Sequence, residues 1–356
     1  MKETAHIFLG ANSGEGFCSL YDQLLCGRLD DLLILKGGPG CGKSSFMRTV
    51  QRALGDAGAE TVSVHCSGDP DSLDGVLFPS RRVGLVDGTA PHVLEPTYAV
   101  AAERYLDLTR FYDVAAVKAR RDEIVARTDA YRAAYADAYR ALRAADAVES
   151  ERRAAVRAAT DFDWLARRFD GVLRREVRGK GDRRGRLDRA FLGGLTHKGE
   201  LCRFDTAAAL CPRVYALSDG CGLCSGALAR LSEAAAEAGY DALVCPNPDR
   251  PRETAHLLVP ALGLAFVTAT ARTPLPVKPY RRLHVEERAL AGLTRAQKAK
   301  QRLLRRIETT LRDEATAALR RAKREHDALE AAYNPCVDFD GVYALASQEA
   351  ERLLNQ

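Results

Sequence analysis

Two stretches of the sequence share one pattern and indicate the fold class. The first is LILKGGPGCGKSSF at residues 33–46, and the second is YALSDGCGLCSGAL at residues 215–228. Each consists of an apolar run, a turn rich in glycine or other small residues, and the start of a helix-forming segment. The first carries a lysine, Lys43, where the second carries a serine, Ser225. The chain therefore has one loop in two copies that differ in charge.

The segments around these loops repeat in the same order. Residues 7–22 align without a gap with residues 190–205, and the segment around Pro79 aligns with the segment around Pro260. A fixed order of matching segments indicates an internal repeat. We therefore predict that one ancestral unit was duplicated in tandem.

Each unit is predicted to begin with a parallel sheet and to end in long helices. Short runs rich in Val, Ile and Leu (LLILK, TVSVHC and VGLVD) alternate with helix-compatible segments, which is typical of α/β folds. The second part is rich in Ala and Arg, and its stripe of Tyr131, Tyr135 and Tyr139 is interpreted as packing surface. The predicted fold class is α/β, a P-loop NTPase three-layer sandwich with a mostly parallel sheet, duplicated, each copy followed by a long helical hairpin.

The domain boundaries follow from these changes in composition. The run RREVRGKGDRRGR at 174–186 is basic and interrupted by glycines, which predicts a mobile linker. The predicted domains are an active first core at 1–98, a first helical hairpin at 99–173, a basic linker at 174–188, a degenerate second core at 189–280 and a second helical hairpin at 281–356.

The overall composition is that of a globular cytoplasmic protein. Of 356 residues, 46% are hydrophobic and 28% are charged, with a net charge of +5. Neither a signal peptide nor an apolar run long enough to span a bilayer is present, so we expect a cytoplasmic protein without a membrane partner. Cys221 and Cys224 form a C-x-x-C pair, but a zinc site would need a second pair at comparable spacing. We interpret the cysteines as reduced core and loop residues.

The first loop has the residues needed to bind nucleotide phosphates. It matches the pattern G-x-x-x-x-G-K-[ST] between a predicted strand and a predicted helix. Its glycines let successive N–H groups point at one anion, and Lys43 would neutralise the β- and γ-phosphates. The predicted nucleotide-binding residues are Gly38, Pro39, Gly40, Cys41, Gly42, Lys43, Ser44 and Ser45. Since N-K-x-D, which selects guanine, is absent, ATP is the expected nucleotide.

A magnesium ion is expected beside this loop. The Ser44 hydroxyl would ligate Mg²⁺, and an acidic residue at the tip of another strand would hold it through water. Asp87 ends the apolar run VGLVD and meets this requirement. A turn former before Gly88 is the simpler interpretation of Asp87, and the upstream loop favours the metal role. Ser44 and Asp87 are therefore the predicted Mg²⁺ residues.

Hydrolysis also needs a group that orients water. Gly88 follows Asp87, so the glutamate usual at that position in AAA-type and transporter ATPases is missing. The candidates are His65, Asp69, Asp71, Asp74 and His92. Of these, His65 and Asp69 are predicted to act with Lys43 and Asp87 in catalysis. The alternative is that GDPDSLD forms only a turn followed by the N-cap of a helix.

The combination of LILKGGPGCGKSS, HCSGDPDSLDGVLFP and GLVDGTAPHVLEP resembles a largely uncharacterised family of bacterial tandem-repeat P-loop ATPases. The resemblance covers nearly the whole chain and implies two P-loop units and ATP binding. It implies no substrate. By this resemblance, Gly37 to Ser45 and Asp87 form the nucleotide site, and the segment from His65 to Asp74 belongs to the motif without a defined role.

The second unit departs from the family pattern. Asp219 replaces Gly37 and Thr268 replaces Asp87, in addition to Ser225 in place of Lys43. A carboxylate where phosphate would lie repels it, so the second site is expected not to bind nucleotide. We consider two roles for this unit: it completes the first site through Arg250, Arg252 or Arg272, or it only stabilises the fold.

The leading functional hypothesis is an ATPase whose helical hairpins transmit the nucleotide state to an unknown macromolecular partner. One alternative is a small-molecule kinase with arginines closing over the phosphates; its residues would be Arg104, Arg110, Arg120 and Arg121. Another is a nucleotide-gated module that binds nucleic acid through Arg183, Arg184 and Arg186. Nucleic acid is possible but not favoured, because the basic run has no interleaved aromatic residues.

Overall fold

The computed structural model describes residues 3–25, 27–179 and 181–356. Lys180 of the predicted linker thus lies outside the described residues. The first half has strands β1 (Glu3–Ile7), β2 (Gly10–Ser13), β3 (Gly16–Ser19), β4 (Asp31–Lys36), β5 (Thr61–His65), β6 (Leu73–Phe78), β7 (Val83–Asp87) and β8 (Glu103–Asp107). Its helices are α1 (Lys43–Asp56), α2 (Val114–Ala119), α3 (Arg121–Ala158) and α4 (Phe162–Glu176).

The second half has the same kinds of element. Its strands are β9 (Leu187–Arg189), β10 (Gly193–Thr196), β11 (Gly199–Cys202), β12 (Arg213–Leu217), β13 (Ala242–Asn247), β14 (Arg250–Val259), β15 (Leu264–Thr268) and β16 (Arg281–Leu283). Its helices are α5 (Phe204–Leu210), α6 (Ser225–Glu237), α7 (Val285–Ala291), α8 (Arg295–Tyr333) and α9 (Phe339–Leu354).

The two large sheets have the same topology. The first has six strands in the order β1-β5-β6-β7-β4-β8, and the second has the order β9-β13-β14-β15-β12-β16. In each sheet one strand, β6 or β14, runs antiparallel to both neighbours, and the other pairings are parallel. The prediction of a duplicated α/β unit with mostly parallel sheets is confirmed.

The apolar run LLIL forms β4, the strand next to the edge strand of the first sheet. Leu32 to Leu35 have no exposed surface, because β4 lies between β7 and β8 and is covered on its faces. Helix α1 packs Phe46, Met47 and Val50 into the same core as Leu33 and Leu35. A strand buried on both faces reads as a continuous apolar run, which is why the sequence predicted it. This core positions the loop that joins β4 to α1.

The segment GDPDSLD does not start a helix. A turn forms as predicted, with the Ser72 N–H donating to the Asp69 carbonyl at 2.9 Å. Leu73 to Phe78 then form β6, which fills the position between β5 and β7. The helix interpretation is wrong because Val76 and Phe78 bury their side chains completely in the sheet core. The strand carries Asp74 toward the end of β7.

The long helices pair between the two halves. At one end of the pair Arg127 of α3 contacts Glu325 of α8 at 3.0 Å, and at the other end Glu151 of α3 contacts Lys300 of α8 at 2.5 Å. Helices α3 and α8 are therefore antiparallel. The prediction of a helical hairpin within each unit is wrong, since each long helix takes its partner from the other unit. No described helix has an apolar stretch that could cross a membrane.

The short terminal helices cross over as well. Leu165 and Phe169 of α4 lie in a core cluster with Phe266 of the second sheet. Val342 and Leu353 of α9 lie in a cluster with residues of the first sheet and α1. Each half therefore supplies one layer of the other half's hydrophobic core.

The basic linker lies against the second half rather than free in solution. Arg183 and Arg186 form ion pairs with Asp241 at 3.1 and 3.4 Å, and Arg184 pairs with Glu233. The Gly185 N–H donates to the Ala236 carbonyl at 2.8 Å. The described linker arginines thus contact acidic side chains of α6 and of the residue before β13, and the mobility of the linker stays a prediction.

Candidate functional site

The loop between β4 and α1 has a backbone that needs glycine. Gly40 has φ +69° and Gly42, at the N-cap of α1, has φ +86°. Both values lie in the left-handed region, which glycine adopts without strain. A Cβ atom on Gly37 would lie 2.5 Å from the Cys41 sulfur, and one on Gly38 would lie 2.9 Å from the Tyr112 hydroxyl. The loop is therefore tightly curled at the start of α1, with no room for side chains at Gly37 and Gly38.

Lys43 directs its charge into this loop. Its Nζ donates to the carbonyls of Gly37 and Gly38 at 2.8 and 3.0 Å. The same ammonium group lies 3.6 Å from Oδ2 of Asp87, and both side chains are largely buried. Because β4 and β7 are parallel neighbours, their carboxyl ends meet at one edge of the sheet. The structure thus brings together the lysine and the acidic residue that the sequence predicted.

The two predicted Mg²⁺ residues are both held by backbone contacts. Oδ1 of Asp87 accepts hydrogen bonds from the Thr89 N–H at 2.8 Å and the Thr89 hydroxyl at 2.6 Å. Oγ of Ser44 accepts a hydrogen bond from the Leu73 N–H at 3.1 Å. Ser44 therefore contacts the residue next to Asp74, which shows how β6 comes to this edge.

Asp74 and His92 join Asp87 in a buried cluster. Their candidate ligand atoms all lie within 4.8 Å of one another. His92 Nε2 lies 3.3 Å from Oδ2 of Asp74, and the Tyr21 hydroxyl donates to the same oxygen at 3.3 Å. Burial raises the pKa of Asp74, the nearby His92 opposes this rise, and Asp87 adds to it. The sequence named both residues only as candidates for orienting water; their contact depends on the fold.

His65, Asp69 and Asp71 have partners in the second half. His65 Nε2 accepts a hydrogen bond from Arg203 at 2.8 Å, and its Nδ1 donates to the Pro70 carbonyl at 2.7 Å. Asp69 lies 3.4 Å from Lys323, and Asp71 pairs with Lys198. The sequence grouped these residues with Asp74, but among the described residues only Asp74 joins Asp87 and His92 in the buried cluster. A catalytic role for His65 and Asp69 stays a prediction without support from these contacts.

The second half covers the first loop with the ends of two helices. A Cβ on Gly40 would lie 2.6 Å from the Asn334 amide and 3.1 Å from the Glu330 carbonyl at the end of α8. With its nitrogen as donor, the Asn334 amide bonds the carbonyls of Gly40 and Glu330, both at 3.0 Å. A Cβ on Gly42 would lie 3.4 Å from Val342 of α9. The second unit therefore contacts the first loop through α8 and α9.

The predicted cross-reaching arginines lie elsewhere. Arg250 pairs with Asp146 of α3, and Arg272 pairs with Glu200 at 2.8 Å. Arg252 is exposed. Arg250 and Arg272 thus form ion pairs near α3 and α8. The contacts of the second unit to the first loop come from α8 and α9 instead.

The second loop keeps the turn and fills it with its own carboxylate. Gly222 has φ +63°, matching Gly40. The buried Asp219 accepts hydrogen bonds from the N–H groups of Leu223 and Cys224, both at 2.7 Å. These N–H groups correspond to those that would face an anion in the first loop. Their hydrogen-bonding capacity is used by the chain itself.

Arginines of α3 close the second loop further. Arg152 donates to the Gly220 carbonyl at 3.3 Å and contacts the Cys221 sulfur at 3.2 Å. Burial raises the pKa of the Cys221 thiol to about 12, so it is a poor thiolate donor at neutral pH. Cys221 and Cys224 are both free and buried.

The arginines of the two alternative hypotheses are partly engaged. Arg104 on the edge strand β8 pairs with Glu349 at 2.6 Å and Asp31 at 3.4 Å. Arg110 lies over the ring of Phe111, and Arg121 pairs with its neighbour Asp122. Together with the ion pairs of the linker arginines, these contacts favour neither a lid nor a nucleic-acid surface.

No family model, curated protein or solved structure matches this chain significantly. The assignment of the site therefore depends on its geometry and on the residue pattern of the loop.

Proposed function

We propose that the first unit is a P-loop that binds ATP with a divalent cation and hydrolyses it. The observation that carries this proposal is the loop Gly37–Ser45, with left-handed Gly40 and Gly42 at the start of α1 and Lys43 3.6 Å from Asp87. N–H groups curled at a helix N-terminus favour an anion. The residues present fit a nucleoside triphosphate, because the loop N–H groups and Lys43 would hold its phosphates.

Several groups at this edge fit the rest of the reaction. Ser44 offers a hydroxyl oxygen and Asp87 a carboxylate to the cation, which would neutralise charge that develops on the phosphates. Asp74 and His92 lie beside Asp87, where a group that orients water would have to be. These side chains are already in place in a buried site. They would therefore stabilise the charge that develops on the phosphates with little reorganisation.

The second unit is proposed not to bind nucleotide. The Asp219 carboxylate already accepts hydrogen bonds from two loop N–H groups at 2.7 Å. Ser225, which carries no charge, stands at the position equivalent to Lys43. A phosphate would have to displace a buried carboxylate and would meet its negative charge. The chain would therefore bind one nucleotide per molecule.

The nucleotide state is proposed to reach a macromolecular partner through α3 and α8. The end of α8 contacts Gly40 through Asn334 and Glu330. Helix α8 has 39 residues, and an α-helix of that length extends about 58 Å. A change in the loop conformation would change these contacts at one end of α8 and shift the helix. Helix α3, which packs along α8, would move with it.

The experiment that tests this proposal follows the γ-phosphate of labelled ATP in a single turnover with a divalent cation. We expect one ATP bound per chain and release of labelled free phosphate. Lys43→Ala should abolish both, because it removes the cation that faces the phosphates. Filter binding and phosphate release measure the two steps.

The matched control is Ser225→Ala at the equivalent position of the second unit. It should bind and hydrolyse ATP like the wild type, because the second loop takes no nucleotide. Two bound nucleotides per chain, or loss of binding in Ser225→Ala, would contradict the proposal. Label transferred to a metabolite from an added small-molecule extract would indicate the kinase instead.

A further inference from the structure

Three donor groups meet at the carboxyl edge of the first sheet. Asp74 comes from β6, Asp87 from the end of β7, and His92 from the loop that follows. All three residues are buried, with exposed fractions of 5%, 8% and 7%. The backbone N–H of His92 donates to the Thr89 carbonyl at 2.9 Å. The backbone N–H of Thr89 in turn donates to the Asp87 carboxylate. A tight turn thus holds the imidazole beside the two carboxylates.

The imidazole itself is incompletely satisfied. Its Nε2 faces Asp74 at 3.3 Å, whereas Nδ1 is buried and has no hydrogen-bond partner among the residues that the structure describes. The ring packs against Tyr21 and Phe17, with centroid distances of 4.8 and 5.2 Å. A buried polar nitrogen without a partner costs free energy, and sites that bind a ligand are one place where this cost is tolerated.

The charges of the cluster also favour a bound cation. Asp74 and Asp87 are two buried carboxylates, and Lys43, at 3.6 Å from Asp87, is the fixed cation beside them. A single ammonium group can balance only one of two carboxylates, so a negative charge remains in the cluster even without nucleotide. Two neighbouring carboxylates in a buried site are then stabilised best by a divalent ion.

We propose that Asp74, Asp87 and His92 bind a divalent transition-metal ion, with Mn²⁺ preferred to Mg²⁺. This inference deepens the proposed function, on which it rests, because Asp87 is common to both sites. Mg²⁺ prefers oxygen ligands and keeps its waters, whereas imidazole nitrogen suits transition metals. One nitrogen and two carboxylates therefore select the transition ion.

The second unit lacks this donor set. The pairing of Gly75 with Val86 in the first sheet corresponds to the pairing of His256 with Val267 in the second. The equivalents of Asp74 and Asp87 are therefore Ala255 and Thr268. The two carboxylates thus occur beside the first loop, which carries Lys43, and are replaced beside the second loop, which Asp219 fills. This distribution is expected for a metal site that serves the first loop.

A second group of possible ligands provides the control. His326, Asp327 and Glu330 also lie close together, but they line one face of α8 and are partly exposed. Asp327 is already paired with Lys323. Because helical spacing alone produces such groups on a surface, we expect no specific binding there.

The test uses metal-free full-length protein without nucleotide and titrates it with MnCl₂, following free Mn²⁺ by its electron paramagnetic resonance. Pulsed spectra of the bound ion then report coupling to imidazole ¹⁴N. We expect one Mn²⁺ per chain with nitrogen coupling, and equimolar Mg²⁺ should not displace it. His92→Gln should remove the coupling and raise the Kd about tenfold or more, whereas His326→Gln should change neither.

Each result decides the inference. Wild-type protein without nitrogen coupling, loss of coupling in His326→Gln, or displacement of Mn²⁺ by equimolar Mg²⁺ would overturn it, and the wild-type spectrum does so even if His92→Gln fails to fold. ATP binding without nitrogen coupling would overturn the metal inference alone. Nitrogen-coupled Mn²⁺ in a protein that binds no ATP would overturn the nucleotide proposal alone.

Discussion

Single side chains distinguish the two loops, whose backbones share a left-handed turn glycine but differ at the helix N-cap, where Gly42 has φ +86° and Cys224 has φ −82°. Gly40 and Gly222 have nearly the same φ, yet Lys43 points a cation into the first loop and Asp219 points an anion into the second. Because the loop N–H groups favour negative charge, the second loop stabilises its own carboxylate. The replacement of Gly37 by Asp219 and of Lys43 by Ser225 thus leaves a structural contact where the first loop has a potential ligand site.

A buried histidine makes the stability of the second half dependent on pH. Burial lowers the pKa of His256 from 6.5 to about 4, and its Nδ1 accepts a hydrogen bond from the Thr268 N–H at 3.1 Å. The unfolded chain takes up the proton near pH 6.5, so the stabilisation is complete above that pH and is lost as the pH falls toward 4. Between pH 7 and pH 5 the loss is about 2 kcal/mol.

Urea unfolding at a series of pH values measures this dependence. His256→Asn keeps an acceptor for Thr268 and removes the titration, so its stability should fall less between pH 7 and pH 5 than that of the wild type. His284→Asn, at an exposed position, should keep the wild-type slope. Equal slopes for wild type and His256→Asn would show that the histidine is not responsible.

At the scale of elements, α3 and α8 enclose a network of buried charges. Arg312 of α8 lies 2.8 Å from both Glu149 and Asp249, 3.4 Å from Glu200 and 3.5 Å from Glu308. Its side chain is 9% exposed. The network joins α3, α8 and two segments of the second half, so it determines how the helix pair is seated.

Arg312→Leu should destabilise the protein strongly. The substitution leaves four carboxylates without their common partner, and breaking a buried ion pair in this way costs about 3–5 kcal/mol. Arg321→Leu on the same helix is the matched control, because Arg321 is 41% exposed and pairs with Asp137 at 3.3 Å. Its cost should be about 1 kcal/mol or less. Similar urea midpoints for the two variants would contradict this account.

The whole molecule is built as a reciprocal pair of halves. Phe8 and Phe191 occupy equivalent positions, and each donates its N–H to the other's carbonyl, at 2.9 and 2.8 Å. Helix α4 packs on the second core and α9 on the first. This two-fold exchange makes each half incomplete by itself.

The exchange predicts that the halves fold only together. Expressed separately, residues 1–180 and 181–356 should each lack cooperative unfolding, because each loses a helix from its core. Mixed or coexpressed, they should form a 1:1 complex with wild-type helicity. Light scattering and thermal circular dichroism measure both properties.

A variant of one fragment controls for this result. Val342 is fully buried in the first core although it belongs to the second fragment, so Val342→Asp should prevent assembly. A fragment 1–180 that unfolds cooperatively by itself would contradict the interdependence of the halves.

The contiguous parts of the candidate site could be predicted from sequence. Gly37–Ser45 lies in one loop, and Asp87 ends an apolar strand, so residue order alone places them at one sheet edge. The grouping of Asp74 with His92 could not be predicted, because it depends on β6 entering between β5 and β7. The catalytic role of His65 and Asp69 stays a prediction, because each contacts a residue of the second half in the structure.

Local pattern determined strands β4, β5 and β7, the first helix, the loop and the duplication, since apolar periodicity and glycine positions act over a few residues. The pairing of the long helices, by contrast, depends on contacts between residues that lie far apart in the sequence. An amphipathic stripe such as Tyr131 to Tyr139 requires burial but does not name its partner. The partner is chosen by the summed packing and charge contacts of both halves, such as those of Arg312, which lie far apart in the sequence.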